Sequence, residues 1–232
     1  MSGSSRDSTT AGSAGGRRVR SGRRDHAVLG DEAPPAERGA ARGQSALAEI
    51  SRRDALTGLH NRMHFNEVVA STLHLCARNG LTMTLAVIDL DRFKELNDSF
   101  GHPFGDACIR HVAAVLQRSF RRDTDTAIRY GGDELVVISV GGTAAETKGR
   151  LEGFRQEIEQ SVVAVDSLTS RLTVSIGVWS RVPGIEDDPA GLLKQADAAV
   201  YRAKHGGRNQ IVVAGDAVTP RQSNGAVQLL PP

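Results

Sequence analysis

The sequence predicts an α/β fold, a mixed central β-sheet flanked by helices. Three observations carry that reading. A continuous apolar run, Leu85-Ala86-Val87-Ile88, reads as a strand buried on both faces. Two β-type apolar runs meet at Gly131-Gly132, which is a hairpin signal. Elsewhere apolar residues recur at helical spacing, as at Ile109, Val112, Ala113 and Leu116. Helices interleaved with strands that include one hairpin pack as layers on a sheet of mixed direction.

The elements follow in order. Residues 45–53 read as a short helix with Leu47 and Ile50 three apart, and Asp54 can cap the turn that follows. Residues 61–78 form a helix with Phe65, Val68, Val69, Leu73 and Cys76 on one side, stopped by Asn79-Gly80. The buried strand spans 83–89. Phe93, Leu96 and Phe100 mark a helix ending at Gly101, and the helix carrying Ile109 to Leu116 comes next. After the hairpin, 144–161 is amphipathic through Leu151, Phe154 and Ile158. A strand over 172–178, a helix over 192–204 ended by Gly206-Gly207, and a short strand over 210–213 close the fold.

Composition bounds the function. The 232 residues are 39% hydrophobic and 24% charged, enough for an ordinary core, but only 4% aromatic, so Leu, Ile, Val and Ala must build it. A net charge of +2 excludes a globally basic nucleic-acid binder, and no nucleic-acid partner is expected. Cys76 and Cys108 lie in apolar stretches without metal-ligand spacing and read as reduced core thiols. No apolar run approaches the ~18–20 residues of a membrane span, and the N-terminus lacks the apolar stretch of a secretory signal, so a cytoplasmic chain is expected. Residues 1–43 are rich in Gly, Ser, Ala and Arg and read as a disordered tail, its arginine run solvated. Residues 44–53 then form a linker helix, 54–214 the folded domain, and 215–232 a flexible tail. No sensor domain is visible, so control is expected through a partner, localisation or a longer chain.

The chemistry concentrates in acids. Asp89 ends the buried strand, Asp91 follows two residues later, and Asp133 and Glu134 follow the Gly-Gly turn. If the hairpin lies beside the Asp89 strand, carboxylates from two segments converge, and such oxygens suit Mg2+ shared with phosphate and water. Gly131-Gly132 would let a nucleotide approach the backbone without a Cβ clash. An exposed acidic hairpin tip is the plainer reading of that motif alone. His60 and His64, four apart, have the look of a metal pair but read as structural.

Five spaced motifs decide between these readings. They are Asp54-Ala55-Leu56-Thr57-Gly58-Leu59-His60-Asn61-Arg62, the stretch 87–106, Arg129-Tyr130-Gly131-Gly132-Asp133-Glu134-Leu135, Val174-Ser175-Ile176-Gly177-Val178, and the stretch 201–209. In that order the chain resembles the GGDEF-domain diguanylate cyclases over residues 50–213. The resemblance implies a fold like the palm of nucleotidyl cyclases and polymerases. It also implies condensation of two GTP into cyclic di-GMP with release of pyrophosphate, in a homodimer of two facing half-sites. By position, Asp89, the Leu90 carbonyl, Asp133 and Glu134 would hold two Mg2+ per half-site, with Mn2+ as the alternative ion. Asp133 would be general base and Glu134 its support. Asn97 and Asp106 would read guanine, with His102 lining the pocket. Lys94, Lys204 and Arg208 would neutralise the triphosphate, cradled by the backbone of Arg92 and Phe93, with Gly131 and Gly132 against it. Arg122 and Asp125, helped by Arg129, would form an inhibitory site for the product. A catalytically inactive module that binds cyclic di-GMP or GTP is the alternative. Leu135 stands where the family usually has Phe, and is expected to point into the core.

Overall fold

The computed structural model describes residues 52–215. The expected tail 1–43, most of the linker helix 44–53 and nearly all of the tail 215–232 lie outside the described residues. Arg52 and Arg53, at the end of that linker, are not helical. Arg52 accepts from the Asn61 amide at 2.8 Å, and Arg53 bridges to His60. Those backbone groups are committed sideways to a strand and cannot continue a helix.

The first strand, β1 (His60–Asn61), runs into α1 (Arg62–Asn79). Asn61 caps α1 by accepting from the His64 amide, and Gly80 ends it in a left-handed conformation. Then come β2 (Met83–Leu90), α2 (Phe93–Phe100) and α3 (His102–Ser119). The hairpin is β3 (Asp125–Gly131) and β4 (Glu134–Val140), followed by α4 (Ala144–Gln160), which opens with a Thr143/Glu146 capping box. A small ribbon, β5 (Val163–Val165) and β6 (Leu168–Ser170), leads to β7 (Val174–Arg181). The chain closes with α5 (Pro189–His205), capped by Asp188, and β8 (Ile211–Val213).

Six strands form one sheet in the order β1-β3-β4-β2-β7-β8. The outer pairs β1/β3 and β7/β8 are parallel and the inner pairs antiparallel, so the sheet is mixed as expected. Every residue of central β2 is buried. Alternation sorts its side chains between two cores. Ala86 and Ile88 join Leu135, Val137, Ile176 and the apolar faces of α3 and α4. Leu85 and Val87 join Val136, Trp179 and the apolar faces of α1 and α5. Leu135 is 1% exposed and lies in the first core, as the sequence required.

Two local results differ from the sequence reading. The strand expected over 172–178 runs instead from Val174 to Arg181, and the Asp91 amide donating to the Thr173 carbonyl at 2.9 Å carries its pairing with β2 one step past the strand's start. The β5/β6 ribbon and β1 were not expected, since strands of three and two residues carry too little periodicity to read. Gly177 lets α5 lie against β7, since a Cβ there would come within 2.1 Å of the Ala196 carbonyl oxygen.

Candidate active site

The acidic group forms where β2 ends beside the β3/β4 hairpin. Asp89 pairs directly across the sheet with Glu134, the first residue of β4. Gly132 and Asp133 make the two-residue turn, flanked by the pair Gly131 and Glu134. A bulge at Tyr130 shifts the register between Arg129 and Gly131, a device that re-aims strand ends. A Cβ at Gly131 or Gly132 would meet nothing within 4 Å, so the turn is open above.

Arg129 fixes this turn. Its Nε and Nη2 donate to the Gly132 carbonyl at 3.1 and 2.9 Å, and its Nη1 donates to both Asp54 oxygens at 3.1 Å. Asp54 also accepts from the amide and hydroxyl of Thr57, as its capping role predicts. Burial works against the Asp54 charge, but the hydrogen bonds from Thr57 and Arg129 outweigh it and hold the carboxyl below its usual value.

Lys204, on the last turn of α5, places Nζ 2.7 Å from Asp89 Oδ2. Asp89 is 6% exposed. Its burial, aided by the neighbouring charges of Asp133 and Glu134, pushes its pKa up to about 6 even against Lys204. Glu134 is pushed up too, by burial first and then by Asp197 and Asp133. The site therefore holds more negative charge than its lysine balances. Sequence reasoning missed Asp197 and Arg62, whose charges act on Glu134. Asp197 lies seven residues before Lys204, a spacing that puts both on one face of α5.

That surplus suits a divalent cation, and Leu90 follows Asp89 at the end of β2. Among the described residues no three His, Cys, Asp or Glu side chains are grouped so as to hold a metal ion by themselves. Mg2+ takes few oxygens from protein when phosphate and water complete its shell. Asp89, Asp133 and Glu134 are oxygen donors of that kind, close enough that the charges of Asp133 and Glu134 act on Asp89. Asp91 does not join them; its oxygens accept from Thr173, Ser175 and the Asn209 amide. The rings of His60 and His64 stack 3.9 Å apart, a packing contact.

Arg92 precedes α2 in a left-handed conformation, φ 55°, and no side chain caps that helix start. The amides of Phe93 and Lys94 open the helix there, and Lys94 is exposed. Asn97 on α2 packs against Gly105 on α3 with its Oδ1 buried and without a hydrogen-bond partner. Asp106 follows Gly105, and both it and His102, the first residue of α3, are exposed. A buried amide oxygen without a partner beside an exposed carboxylate is what a ligand with donors would complete. Beyond α5, Arg208 and Asn209 both adopt left-handed backbone, φ 61° and 46°. Each such non-glycine residue costs roughly 1–2 kcal/mol and must be held by its surroundings.

The Arg122-x-x-Asp125 stretch borders a cleft of about 290 Å³, lined by Arg53, His60, Phe120, Arg121, Arg122 and Asp125. Arg122 is exposed there. The Asp125 carboxylate has no exposed surface. It accepts from Arg150, from the Ser139 hydroxyl at 2.7 Å and from the Arg122 amide at 3.1 Å. Burial opposes its charge, but Arg150 and these hydrogen bonds hold its pKa below the usual value. Arg129, expected as a third contact, is not among the lining residues and reaches Asp54 and Gly132 instead. Arg150 was not foreseen; its guanidinium stacks 4.3 Å over Phe120.

These features define an α/β domain whose acidic strand end is only partly balanced by a lysine from a neighbouring helix. Residues 51–210 match the family model described as diguanylate cyclase, GGDEF domain, and the chain belongs to that family. The response regulator PleD of Caulobacter vibrioides is 39% identical over 166 residues, 71% of this chain and 36% of PleD. Diguanylate cyclase A of Treponema denticola is 31% identical over 173 residues, 73% of this chain and 46% of that protein. The chain thus spans less than half the length of these curated relatives. Among solved structures, the coiled coil and GGDEF domain of DgcB from Caulobacter crescentus, in complex with c-di-GMP, matches with TM-score 0.69 at 32% identity. That match covers 77% of this chain and 95% of the other. Diguanylate cyclase SiaD of Pseudomonas aeruginosa, solved with its activator SiaC, matches with TM-score 0.70 at 30% identity, over 77% of this chain and 68% of that one. No helix of the described residues is long and apolar enough to cross a membrane.

Proposed function

We propose that this chain is a diguanylate cyclase that joins two GTP into cyclic di-GMP and releases two pyrophosphates. The observation that carries this reading is the acidic strand end, where Asp89 pairs with Glu134 beside the Asp133 turn and Lys204 balances only part of the charge. Asp89, Asp133, Glu134 and the Leu90 carbonyl would hold two Mg2+ per half-site, with Mn2+ as the alternative. Bound there, such ions would lower the pKa of the ribose 3′-hydroxyl and neutralise charge on the phosphates. Asp133 takes the 3′-hydroxyl proton, and Glu134 supports it. The 3′-oxygen forms a bond to the α-phosphorus of the facing GTP as the bond to the β-phosphate oxygen breaks. The same exchange in the opposite direction closes the ring.

Asn97 and Asp106 read the guanine edge, and the buried Asn97 Oδ1 without a partner supports that role. His102 lines the same pocket. Lys94, Lys204 and Arg208 take the triphosphate, with the amides of Arg92 and Phe93 below it and Gly131-Gly132 alongside. The uncapped start of α2 supports the cradle. Product is held at Arg122 on the arginine-lined cleft, with Asp125 bracing the loop. The two buried, unpaired cysteines accord with the cytoplasm as the setting.

Incubation with GTP and Mg2+ followed by chromatographic identification of the product tests this reading. Cyclic di-GMP is expected. Asp133→Ala and Glu134→Gln should each cut the rate by about 100-fold or more while leaving the fold intact. Arg122→Ala should keep the initial rate and lose inhibition by added cyclic di-GMP. Near-normal turnover in both acid variants would refute the roles given to them.

A further inference from the structure

We infer that Asp91 is a positioning residue: with Arg155 it holds the strained Arg208-Asn209 turn so that Arg208 faces the triphosphate. The inference rests on the reading above that Arg208 contacts that triphosphate.

Asp91 is an acid two residues from a proposed metal ligand, yet its oxygens are committed elsewhere. It is 7% exposed. Its Oδ1 accepts from the Ser175 hydroxyl at 2.6 Å. Its Oδ2 accepts from the Thr173 hydroxyl at 2.7 Å and from the Asn209 amide at 3.0 Å. A carboxylate taking three donors on a buried strand end is a clamp between segments. The Asn209 amide comes from 118 residues further along the chain.

That amide belongs to a turn that needs holding. Gly207, Arg208 and Asn209 follow one another at positive φ, 110°, 61° and 46°, and two of the three carry side chains. Such backbone persists where the surroundings over-determine it. Asp91 grips the turn through the Asn209 amide. From the other side Arg155, 3% exposed, donates to Asn209 Oδ1. Arg155 is itself anchored by Glu152 at 2.7 Å and Glu159 at 2.8 Å. The Arg208 amide donates to the Ala203 carbonyl at 3.0 Å, tying the turn to the end of α5.

Asp91 also immediately precedes Arg92 and Phe93, the cap and the first residue of α2. Its side chain acts elsewhere: its grip on the Asn209 amide bears on the turn that carries Arg208. An arginine fork tolerates little misplacement against phosphate oxygens, so release of the clamp is felt in binding.

The test is titration calorimetry on the full chain with 3′-deoxyguanosine triphosphate and Mg2+, a probe that binds without reacting. Asp91→Asn keeps the shape of the side chain and removes its charge. It should weaken binding roughly tenfold, and Arg208→Ala by a similar factor. The double variant should bind no more weakly than Arg208→Ala alone, because both act through one contact. Arg155→Met loosens the same turn from α4. It should show the same Arg208-dependent loss, and it carries the test if Asp91→Asn does not fold. Wild-type affinity in both Asp91→Asn and Arg155→Met overturns the inference, as does a loss that adds in full to that of Arg208→Ala. Wild-type affinity in Arg208→Ala removes the reading of Arg208 and the inference together.

Discussion

Gly105 sits in the first turns of α3 although glycine disfavours a helix by about 1 kcal/mol relative to alanine. The reason is room. A Cβ there would come within 1.9 Å of Asn97 Oδ1, 3.0 Å of its Cγ and 3.1 Å of Phe93 Cζ. Gly105→Ala should therefore push the Asn97 amide out of place while leaving the metal-side acids untouched. The expected outcome is a KM for GTP raised roughly tenfold, with kcat largely kept, since a lost contact to a buried polar group is worth about 1–3 kcal/mol. Steady-state kinetics of a folded variant with unchanged KM would reject that link. In sequence, Gly105 was one letter of a motif; only the helix crossing shows what its missing methyl makes room for. Asp91 presents the converse case: two residues past Asp89 and assigned no role from sequence, it is used by its neighbours as a clamp.

At the scale of elements, α3 and α4 meet through His111, whose Nε2 lies 2.8 Å from the Ser161 hydroxyl, and through the Arg118–Glu157 ion pair. Burial lowers the His111 pKa, Arg118 lowers it further, and Glu157 opposes them. The folded pKa is thus below the unfolded value of about 6.5. As pH falls through about 6.5 the unfolded chain takes up the proton first, so His111 costs stability on acidification and is silent above that range. Urea unfolding between pH 7.5 and 5 should show a smaller acid loss for His111→Gln than for wild type. Asp89, with its folded pKa raised to about 6, acts in the opposite direction, favouring the fold as pH falls. That contribution is common to both proteins and cancels in the comparison. Parallel pH profiles would show that the α3–α4 contact does not sense protonation.

At the scale of the whole molecule, one domain supplies one acidic strand end and one buried Asn97 amide oxygen without a partner. A cyclic dinucleotide needs two GTP held antiparallel, each 3′-hydroxyl aimed at the other's α-phosphorus. Two copies facing across a two-fold axis would provide that, and this symmetry is the commonest among homo-oligomers. With acidic strand ends on the proposed faces, GTP is expected to bridge them and standing association to be weak. Specific activity should fall on dilution, with the rate rising faster than linearly in protein concentration. Constant specific activity across a hundredfold dilution, from a species shown to be monomeric by sedimentation, would contradict the two-copy reaction.

The sequence by itself determined the layer fold, because the buried run of β2, the hairpin glycines and the helical spacings are local periodicities that persist in the folded state. It also located Asp89, Asp133 and Glu134 at strand ends and a turn, because local patterning places those positions. Tertiary structure alone decided what each charge faces. Lys204 reaches Asp89 because Gly177 lets α5 lie on the sheet, and Arg150 claims Asp125 from a helix 25 residues away. Arg129 reaches Asp54 and the Gly132 carbonyl of the hairpin turn and does not line the cleft beside Arg122. Pairing between charges is set by distances across the fold, whereas the periodicity that forms an element is carried by adjacent residues.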